Sequence, residues 1–431
     1  MSNAEKTRDI WYDLDNAAKI FPSVSDEDNT NVFRLACELK EPIEPDALQQ
    51  ALDTAMEAFP YFQVVMRRGL FWFYLERSNL RPVVKPEGER PCSRLFYKQV
   101  KELLFRVTYF QNRINLEVFH AVADGVGAFD LLRAIVYQYI LLVHRGELPA
   151  QPPTLDSEPP PTRQVEDSFR HYYNPSEKSS PFKVRAYNLA GTLLPSGSIR
   201  VISATAPTPA LLALAKSRGT TVTAYLAALM ICAVYHEMMP KRASGRTISV
   251  TIPVDLRGHF TSETARNFFS VVDVGYNFAD QGGDFDEVLA SVTAQLGEKV
   301  SAGALTGRLN YNMSVQSNIF TLFTPLILKN IILKIAYHKA ESATTCALSN
   351  MGRLTIPAPF SDYIDRFSCL LNPTRIHRWK LCVCSFEDKF ILNFTSCIAE
   401  TSLHKYVVRH LSAAGIPLCI TCNGVNEDEI L

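Results

Sequence analysis

The chain has 431 residues, of which 47% are hydrophobic and 20% charged, a composition typical of a globular protein with a large core. Its 44 basic and 44 acidic residues cancel, so no overall charge attracts it to nucleic acid, and we expect no nucleic-acid partner. The polar N-terminal segment, Met1–Asp13, lacks the apolar core of a secretory signal, and ten cysteines in so long a chain do not form a disulfide framework. We therefore expect a cytoplasmic protein.

The N-terminal part of the chain predicts one helix and two β-hairpins. Apolar residues at helical spacing predict the helix over Pro45–Phe59, and the proline suits its first turn. Alternating runs rich in β-forming residues predict the hairpins, at Phe62–Arg68 with Leu70–Glu76 and at Leu104–Tyr109 with Ile114–Phe119.

The residues best suited to chemistry follow the second hairpin. Apolar residues alternate along Ile114–Phe119, so this strand buries one face and leaves His120 at its end. Asp124 and Gly125 come next, and an apolar helix is predicted over Phe129–Val143. A general base needs an imidazole that is neutral at pH 7 and held in one tautomer. Asp124 would either orient that ring or pair with an arginine and keep the loop rigid, while Gly125 lets the backbone turn tightly.

Prolines then concentrate between Leu148 and Pro181. Proline removes a backbone hydrogen-bond donor, so this segment is neither a helix nor a central strand. We interpret it as an extended connector and as the best domain boundary. The prediction is an N-terminal lobe at residues 1–170 and a C-terminal lobe at residues 171–431, joined by a Pro-rich connector around residues 148–181.

The second half repeats the mixture of helices and strands, so the fold class is predicted to be α+β, or mixed α/β. Helices are predicted at Pro207–Ser217, Val222–Met238, Asp284–Val300 and Ser402–Ala413. Strands are predicted at Ile199–Ala204, Thr247–Pro253, Phe268–Tyr276, Trp379–Ser385 and Phe390–Ser396. The helix at Val222–Met238 is almost entirely apolar and is expected to be buried.

The apolar segment Ile319–Tyr337 raises the question of a membrane, but it contains Lys329 and Lys334. A lysine at the centre of a spanning helix costs about 3 kcal/mol on insertion scales, so we expect no transmembrane segment here. The segment is predicted to be an amphipathic helix packed on the body of the protein, with contact to a membrane surface as the alternative.

Five cysteines lie late in the chain, at Cys382, Cys384, Cys397, Cys419 and Cys422. The last two have the C-x-x-C spacing, but a structural zinc site usually combines two such pairs. We therefore expect reduced cysteines in core strands and no metal site.

The segment His120-Ala-Val-Ala-Asp124-Gly125 resembles the H-x-x-x-D-G motif of the chloramphenicol acetyltransferase-like superfamily, which includes condensation domains of nonribosomal peptide synthesis and alcohol acetyltransferases. Many condensation domains carry two adjacent histidines, and Phe119 stands at the first of these positions. The plant acyltransferases' D-F-G-W-G signature is absent. Further similar segments, mostly to the alcohol acetyltransferase-like branch, are Trp11-Tyr12-Asp13-Leu14-Asp15-Asn16, Phe21-Pro22, Val222–Met238, Thr251-Ile252-Pro253-Val254-Asp255-Leu256-Arg257, Asn267-Phe268-Phe269 and Leu348-Ser349-Asn350-Met351-Gly352.

The resemblance implies two similar lobes with a tunnel between them, which a thioester donor and an acceptor enter from opposite mouths. His120 would be the general base of acyl transfer to a hydroxyl or amine. Asp124 would point away from the substrate and pair with an arginine, for which Arg257 is the candidate; the alternative for Arg257 is a solvated cation at a strand end.

Other residues are candidates for substrate contacts. Asn267, Ser349 and Asn350 are short polar residues beside apolar strands and are candidate donors to the oxyanion, although turn and capping roles explain such residues equally well. Trp11 and Asp15 would line the acceptor side or belong to a docked N-terminal segment.

The expected donor is acyl-CoA, or a phosphopantetheine thioester on a free acyl carrier protein, with a small-molecule acceptor and no permanently bound cofactor. The alternatives are a stand-alone condensation-type enzyme and a noncatalytic relative that binds a ligand or partner. A metal-dependent hydrolase would need a second histidine or an acidic cluster at ligand spacing, and His259 stands alone.

Overall fold

The computed structural model describes residues 11–148, 164–175, 185–239, 245–281, 283–316 and 323–424. Within these residues, the strands are β1 (Trp11–Asp13), β2 (Val32–Leu39), β3 (Val64–Arg68), β4 (Phe73–Arg77), β5 (Lys85–Pro86), β6 (Phe105–Phe110), β7 (Arg113–Phe119), β8 (Arg200–Pro207), β9 (Ile248–Asp255), β10 (Phe269–Tyr276), β11 (Cys346–Arg353), β12 (Ile364–Leu371), β13 (Trp379–Phe386), β14 (Lys389–Ser396) and β15 (Cys419–Cys422). The helices are α1 (Phe21–Val24), α2 (Pro45–Ala58), α3 (Gly125–Val143), α4 (Ser168–His171), α5 (Thr208–Ser217), α6 (Val222–Glu237), α7 (Phe278–Gln281), α8 (Phe285–Lys299), α9 (Ala302–Gln316), α10 (Leu326–Glu341) and α11 (Ser402–Ala413). The predicted α+β class is confirmed.

The N-terminal lobe is built on a five-stranded sheet with the strand order β12-β2-β7-β6-β5. The helix predicted from Pro45 is confirmed as α2, and its apolar stripe of Leu48, Ala51, Leu52 and Ala55 is buried. Both predicted hairpins are confirmed with small shifts at their ends, as the antiparallel pairs β3–β4 and β6–β7. The β3–β4 hairpin pairs with β1 in a separate three-stranded sheet.

Helix α3 begins at Gly125, earlier than the start at Phe129 that its apolar residues predict. The reason is a side-chain cap: Asp124 Oδ1 accepts a hydrogen bond from the backbone N–H of Gly127 at 3.1 Å. Its 19 residues make α3 the one helix of the described ranges that could cross a membrane by length and composition, and 61% of its most apolar window is buried in the protein. Helices α5 and α6 meet the same criterion only together, as a pair bent by 79°.

The C-terminal lobe is built on a seven-stranded sheet with the order β10-β9-β11-β13-β14-β8-β15. Helix α6 is buried along most of its length, as predicted, and contacts α8, α11 and the sheet. Strand β8 extends beyond the predicted Ile199–Ala204, because it pairs with β14 as far as Pro207. The other predicted helices and strands of this half are confirmed with small shifts at their ends.

One strand of the second half belongs to the sheet of the first. Strand β12 pairs antiparallel with β2, with Phe367 opposite Cys37, so the two lobes share an element. The division at residue 170 stays a prediction. Most of the predicted connector, residues 149–163 and 176–181, lies outside the described residues.

Helix α10 confirms the helix predicted within Ile319–Tyr337, of which residues 319–322 lie outside the described residues. Its orientation differs from that of an ordinary amphipathic surface helix: Lys329 is buried, whereas Ile327, Ile331 and Ile335 are more than half exposed. The physical reason is a set of polar contacts that Lys329 and Asn330 make on its inner side.

All ten cysteines are free. Cys382 and Cys384 are buried in β13, as expected of cysteines in a core strand. The expectation is wrong for Cys419 and Cys422, which are exposed because β15 is an edge strand of the seven-stranded sheet.

Candidate active site

His120 directly follows β7 and faces a cavity of about 190 Å³ between the two lobes. Its backbone N–H donates to the carbonyl of Asn31 at 2.8 Å, which fixes the start of the loop. Strands of both sheets line the cavity, through Phe33, Leu35, Cys369 and Leu371 from the N-terminal sheet and Pro253, Phe269, Ser349, Met351 and Cys382 from the C-terminal sheet. The wall is therefore mainly apolar, with a few polar groups near the histidine.

Three phenylalanine rings surround the imidazole. Phe21 stacks on it with ring centroids 4.9 Å apart, Phe33 lies edge-on at 5.0 Å, and Phe269 lies at 5.5 Å. Burial among these rings lowers the pKa of His120 from its ordinary value of 6.5, and the nearby Asp124 opposes this shift. His120 is therefore neutral at pH 7, as a general base must be.

Asn267 determines which nitrogen of His120 carries the hydrogen. The Asn267 Nδ2 donates to Asp15 Oδ2 at 3.1 Å and to the His120 carbonyl at 3.0 Å, so the amide oxygen must face the ring. That oxygen lies 3.0 Å from His120 Nδ1. An amide oxygen can only accept, so Nδ1 carries the hydrogen and Nε2 keeps its lone pair.

Asp15 lies one step further from the cavity and holds the amide. It is almost fully buried, and burial raises its pKa from 3.8 to about 6 although Arg266 lies 3.8 Å away. Besides the Asn267 amide, its carboxylate accepts a hydrogen bond from the backbone N–H of Ala18 at 2.8 Å. Asp15 thus acts on His120 through Asn267, as a positioning residue.

Asp124 faces away from the imidazole and is held by four donors. Oδ2 accepts from Arg257 at 2.9 Å and from the Phe268 backbone N–H at 2.8 Å, while Oδ1 accepts from Arg257 at 3.2 Å and from the Gly127 N–H. Of the two roles open from the sequence, the geometry is that of the arginine pair. The pair links α3 of the N-terminal lobe to the segment after β9 in the C-terminal lobe.

Two glycines stand at the start of α3, and they meet different neighbours. A Cβ on Gly125 would lie 2.6 Å from Met351 Sδ, the far end of a flexible side chain. A Cβ on Gly127 would lie 2.0 Å from the carbonyl oxygen of Ala265, which is backbone and cannot move away. Close packing of the lobes therefore requires glycine at 127 more strictly than at 125.

The other three residues predicted to contact substrate differ in their position relative to the cavity. Ser349 lines the cavity from β11. Asn350 also borders it, but its amide donates to Thr223 at 2.9 Å and accepts from the Gly352 N–H at 2.8 Å, a turn role. Trp11 is 61% exposed, packs edge-on against Tyr74 and is not among the residues that line the cavity.

The sequence does not indicate which residues orient His120. Asn267 was predicted as a substrate contact, whereas its amide joins Asp15 to His120 across 252 and 147 residues of chain. Nothing in the Phe21-Pro22 segment indicates that the Phe21 ring stacks on His120. Among the described residues, no group of three or more His, Cys, Asp or Glu side chains is arranged to hold a metal ion.

Part of the sequence matches a known family. Residues 195–359 match the family described as the phthiocerol/phthiodiolone dimycocerosyl transferase C-terminus. No curated protein matches the chain by sequence.

Solved structures resemble the protein over nearly its whole length. Trichothecene 15-O-acetyltransferase TRI3 from Fusarium sporotrichioides has a TM-score of 0.63 at 11% identity, covering 96% of this chain and 97% of that one. TRI101 from F. graminearum, crystallised with coenzyme A and T-2 mycotoxin, has a TM-score of 0.62 at 11% identity, covering 94% and 97%. Polyketide synthase associated protein 5 from Mycobacterium tuberculosis has a TM-score of 0.59 at 15% identity, covering 92% and 96%. The protein therefore shares the fold of these acyltransferase structures over nearly its whole length, and its residues 195–359 match a transferase family.

Proposed function

We propose that the protein transfers an acyl group from a thioester donor to a hydroxyl or amine acceptor, with His120 as the general base. The observation that carries the proposal is the Asn267 contact, because it leaves the lone pair of Nε2 free on a ring that faces the cavity. The lowered pKa of His120 supports it further, since the base is then unprotonated at pH 7.

In the proposed reaction, Nε2 removes the proton of the acceptor as its oxygen or nitrogen attacks the thioester carbonyl. The imidazolium that forms is held by the Asn267 oxygen on Nδ1. When the tetrahedral intermediate collapses, the carbon–sulfur bond breaks and the imidazolium proton passes to the leaving thiolate. No covalent enzyme intermediate is needed.

The developing oxyanion needs a hydrogen-bond donor, and Ser349 is our candidate. Its side chain lines the same cavity as His120, on the opposite sheet. Asn350 is less suited, because its amide already bonds Thr223 and the Gly352 N–H. One well-placed donor stabilises such a transition state by about 3 kcal/mol.

Acyl-CoA is the proposed donor, supported by the coenzyme A bound to TRI101, whose fold the chain shares. A phosphopantetheine thioester on a free acyl carrier protein would present the same reacting atoms. The mainly apolar cavity wall favours an apolar acyl group or acceptor. We place the protein in the cytoplasm, where acyl-CoA and reduced cysteines are both found.

The test is a screen of acyl-CoA donors with hydroxyl and amine acceptors that detects free thiol, on wild type and His120→Ala. We expect the productive pair to lose about 10²- to 10⁴-fold in kcat when the base is removed. His259→Ala is the matched control, because His259 is exposed and not among the residues lining the cavity, and it should retain full activity. Thiol release that survives His120→Ala unchanged would contradict the general-base role.

A further inference from the structure

Helix α10 turns its apolar side away from the protein. Six residues in and just before it are more than half exposed: Phe323 66%, Ile327 64%, Leu328 56%, Ile331 55%, Ile332 58% and Ile335 53%. Within α10, steps of four residues relate Ile327, Ile331 and Ile335, and a further step of four relates Leu328 and Ile332, so these five side chains form two adjacent rows on one side. Phe323 precedes the helix and its N-cap, Pro325. We call these six residues the aliphatic face.

The inner side of the helix carries the polar contacts. Lys329 Nζ donates to the carbonyl of Phe71 at 2.9 Å and lies 3.5 Å from the centre of the Trp72 ring. Ser23 Oγ donates to Asn330 Oδ1 at 2.7 Å. An ordinary surface helix places such residues toward water and its isoleucines toward the core. Here specific contacts hold the reverse orientation, so the outward direction of the aliphatic face is built into the fold.

The turn between β3 and β4 extends the aliphatic face. Leu70 in this turn is 73% exposed, and its carbonyl accepts a hydrogen bond from the Leu326 N–H at 2.9 Å. Phe71 lies edge-on to Phe323 with ring centroids 6.2 Å apart. Two segments about 250 residues apart in sequence therefore present one continuous apolar surface, which soluble proteins rarely expose without a binding role.

Exposed cations border this surface. Arg68 precedes the turn, Lys334 lies on α10 beside Ile335, and Lys98 belongs to the loop before β6. The pKa of Lys98 is lowered by partial burial and by the nearby charges of Lys334, Arg94 and Arg68, with Asp26 opposing. The positive charges are thus close together, in a chain whose total charge is zero.

We propose that the aliphatic face and its basic border bind the surface of an anionic phospholipid bilayer. Aliphatic side chains that enter the acyl boundary, with cations at the level of the head groups, are the pattern of a helix that lies in the membrane interface. With 16 residues and a buried lysine, α10 lies on the bilayer and does not span it. A protein partner would fit less well, because protein interfaces are enriched in tyrosine and tryptophan, and this surface is mainly isoleucine and leucine.

Binding to a bilayer would bring the membrane near the catalytic cavity. Helix α10 packs on α1, and Phe21 at the start of α1 stacks on the His120 ring. The proposal concerns adsorption alone, so it can fail or hold independently of the proposed acyl transfer.

The test is sedimentation of the full-length protein with vesicles of phosphatidylcholine alone and of phosphatidylcholine mixed with phosphatidylserine. Wild type should bind the mixed vesicles, and binding should weaken as salt is added. The double variant Ile331→Glu/Ile335→Glu should bind the mixed vesicles at least about tenfold more weakly than wild type, because two aliphatic side chains no longer enter the bilayer. Lys98→Glu/Lys334→Glu should lose the preference for phosphatidylserine.

Leu212→Glu is the matched control, because Leu212 is 52% exposed on α5 and lies outside the aliphatic face. It should bind vesicles as wild type does, and circular dichroism melting should show that every variant folds. The proposal is overturned if wild type does not bind the mixed vesicles, or if the double isoleucine variant binds equally well. A lipid-independent dimer that the same variant converts to monomers, without vesicle binding, would show that a second copy covers this face and would overturn it too.

Discussion

The two ring nitrogens of His120 have different surroundings. Nδ1 is 3.0 Å from the amide oxygen of Asn267. This amide group cannot flip, because its nitrogen already donates hydrogen bonds to Asp15 and to the His120 carbonyl. Nε2 is left for the cavity. Three phenylalanine rings lower the pKa of the ring by excluding water, while the Asn267 hydrogen bond raises it. Asn267 thus fixes the orientation of the ring and raises its pKa, while the phenylalanine rings lower the pKa.

These opposed effects predict the pH dependence of kcat/KM. Only the neutral base is active, and its pKa is lowered, so the rate should fall as the pH drops, with a midpoint below 6.5. Asn267→Ala removes a contact that raises the pKa, so the midpoint should move to lower pH. The variant should also lose about ten- to a hundredfold in kcat, because the ring is no longer held in one orientation.

Asn350→Ala is the control for this measurement, since it removes an amide that borders the cavity but bonds Thr223. Its midpoint should not move. A lower kcat in Asn267→Ala with an unshifted midpoint would mean that Asn267 supports the fold and does not act on the imidazole.

The sequence could point to His120 but not to its partners. The alternating strand, Asp124 and the glycines are local signals, and each stands within seven residues of the histidine. Asp15 and Asn267 come from segments that only the tertiary fold brings together. The local sequence pattern of a short polar residue beside a strand is the same whether that residue contacts substrate, caps a turn or orients a base. The roles of Asn267 and Asn350 therefore cannot be distinguished from the sequence.

At the scale of elements, the first turn of α3 joins the site to the lobe interface. Asp124 caps the helix, Gly125 begins it, and Gly127 touches the backbone of Ala265 from the other lobe. The helix therefore cannot shift along its axis without disturbing either the cap or the contact with Ala265.

Gly127→Ala should destabilise the protein, because its Cβ would lie 2.0 Å from a backbone oxygen and the lobes would have to separate. We expect a loss of about 1–3 kcal/mol in the free energy of unfolding, measured with urea. Gly125→Ala is the comparison: its Cβ meets only the end of the Met351 side chain, so it should cost about 1 kcal/mol or less. Equal losses in both variants would show that the Ala265 contact does not limit packing.

Elements that depend on residues close in sequence could be predicted, whereas elements that depend on distant partners could not. Helix α2 and the hairpins β3–β4 and β6–β7 depend on local periodicity and turns, and the sequence predicts them closely. The pairing of β12 with β2 joins residues more than 300 positions apart and leaves no local signal. The reversed orientation of α10 also escapes prediction, because a pattern of apolar residues shows which residues share a side but not which side faces the core.

At the scale of the whole molecule, the connections between the lobes include a shared strand and the buried Asp124–Arg257 ion pair. Strand β12 carries the chain of the second half into the first sheet. The Asp124–Arg257 pair connects α3 with the β9–β10 segment, and both side chains are nearly inaccessible, at 8% and 12% exposure. The cavity that His120 faces lies between these two connections, so its width depends on both.

Asp124→Asn tests the second connection. Every partner of the carboxylate is a donor: Nη1 and Nη2 of Arg257 and the backbone N–H groups of Gly127 and Phe268. Whichever way the new amide turns, its NH₂ group faces two donors, and the guanidinium of Arg257 keeps only the partly exposed Asp255 as a counter-charge. We expect the free energy of unfolding to fall by about 3–5 kcal/mol and activity to be lost with the loop.

Asp255→Asn provides the comparison at the same arginine. Asp255 is 44% exposed and bonds Arg257 from the solvent side at 2.8 Å, so its loss should cost no more than about 1 kcal/mol. If Asp124→Asn instead left stability intact and altered only the pH profile, Asp124 would act on the imidazole and not on the arginine. Each substitution removes one negative charge that pairs with the same guanidinium. The difference between the two losses in the free energy of unfolding therefore measures how much burial at the lobe interface adds to the Asp124–Arg257 ion pair.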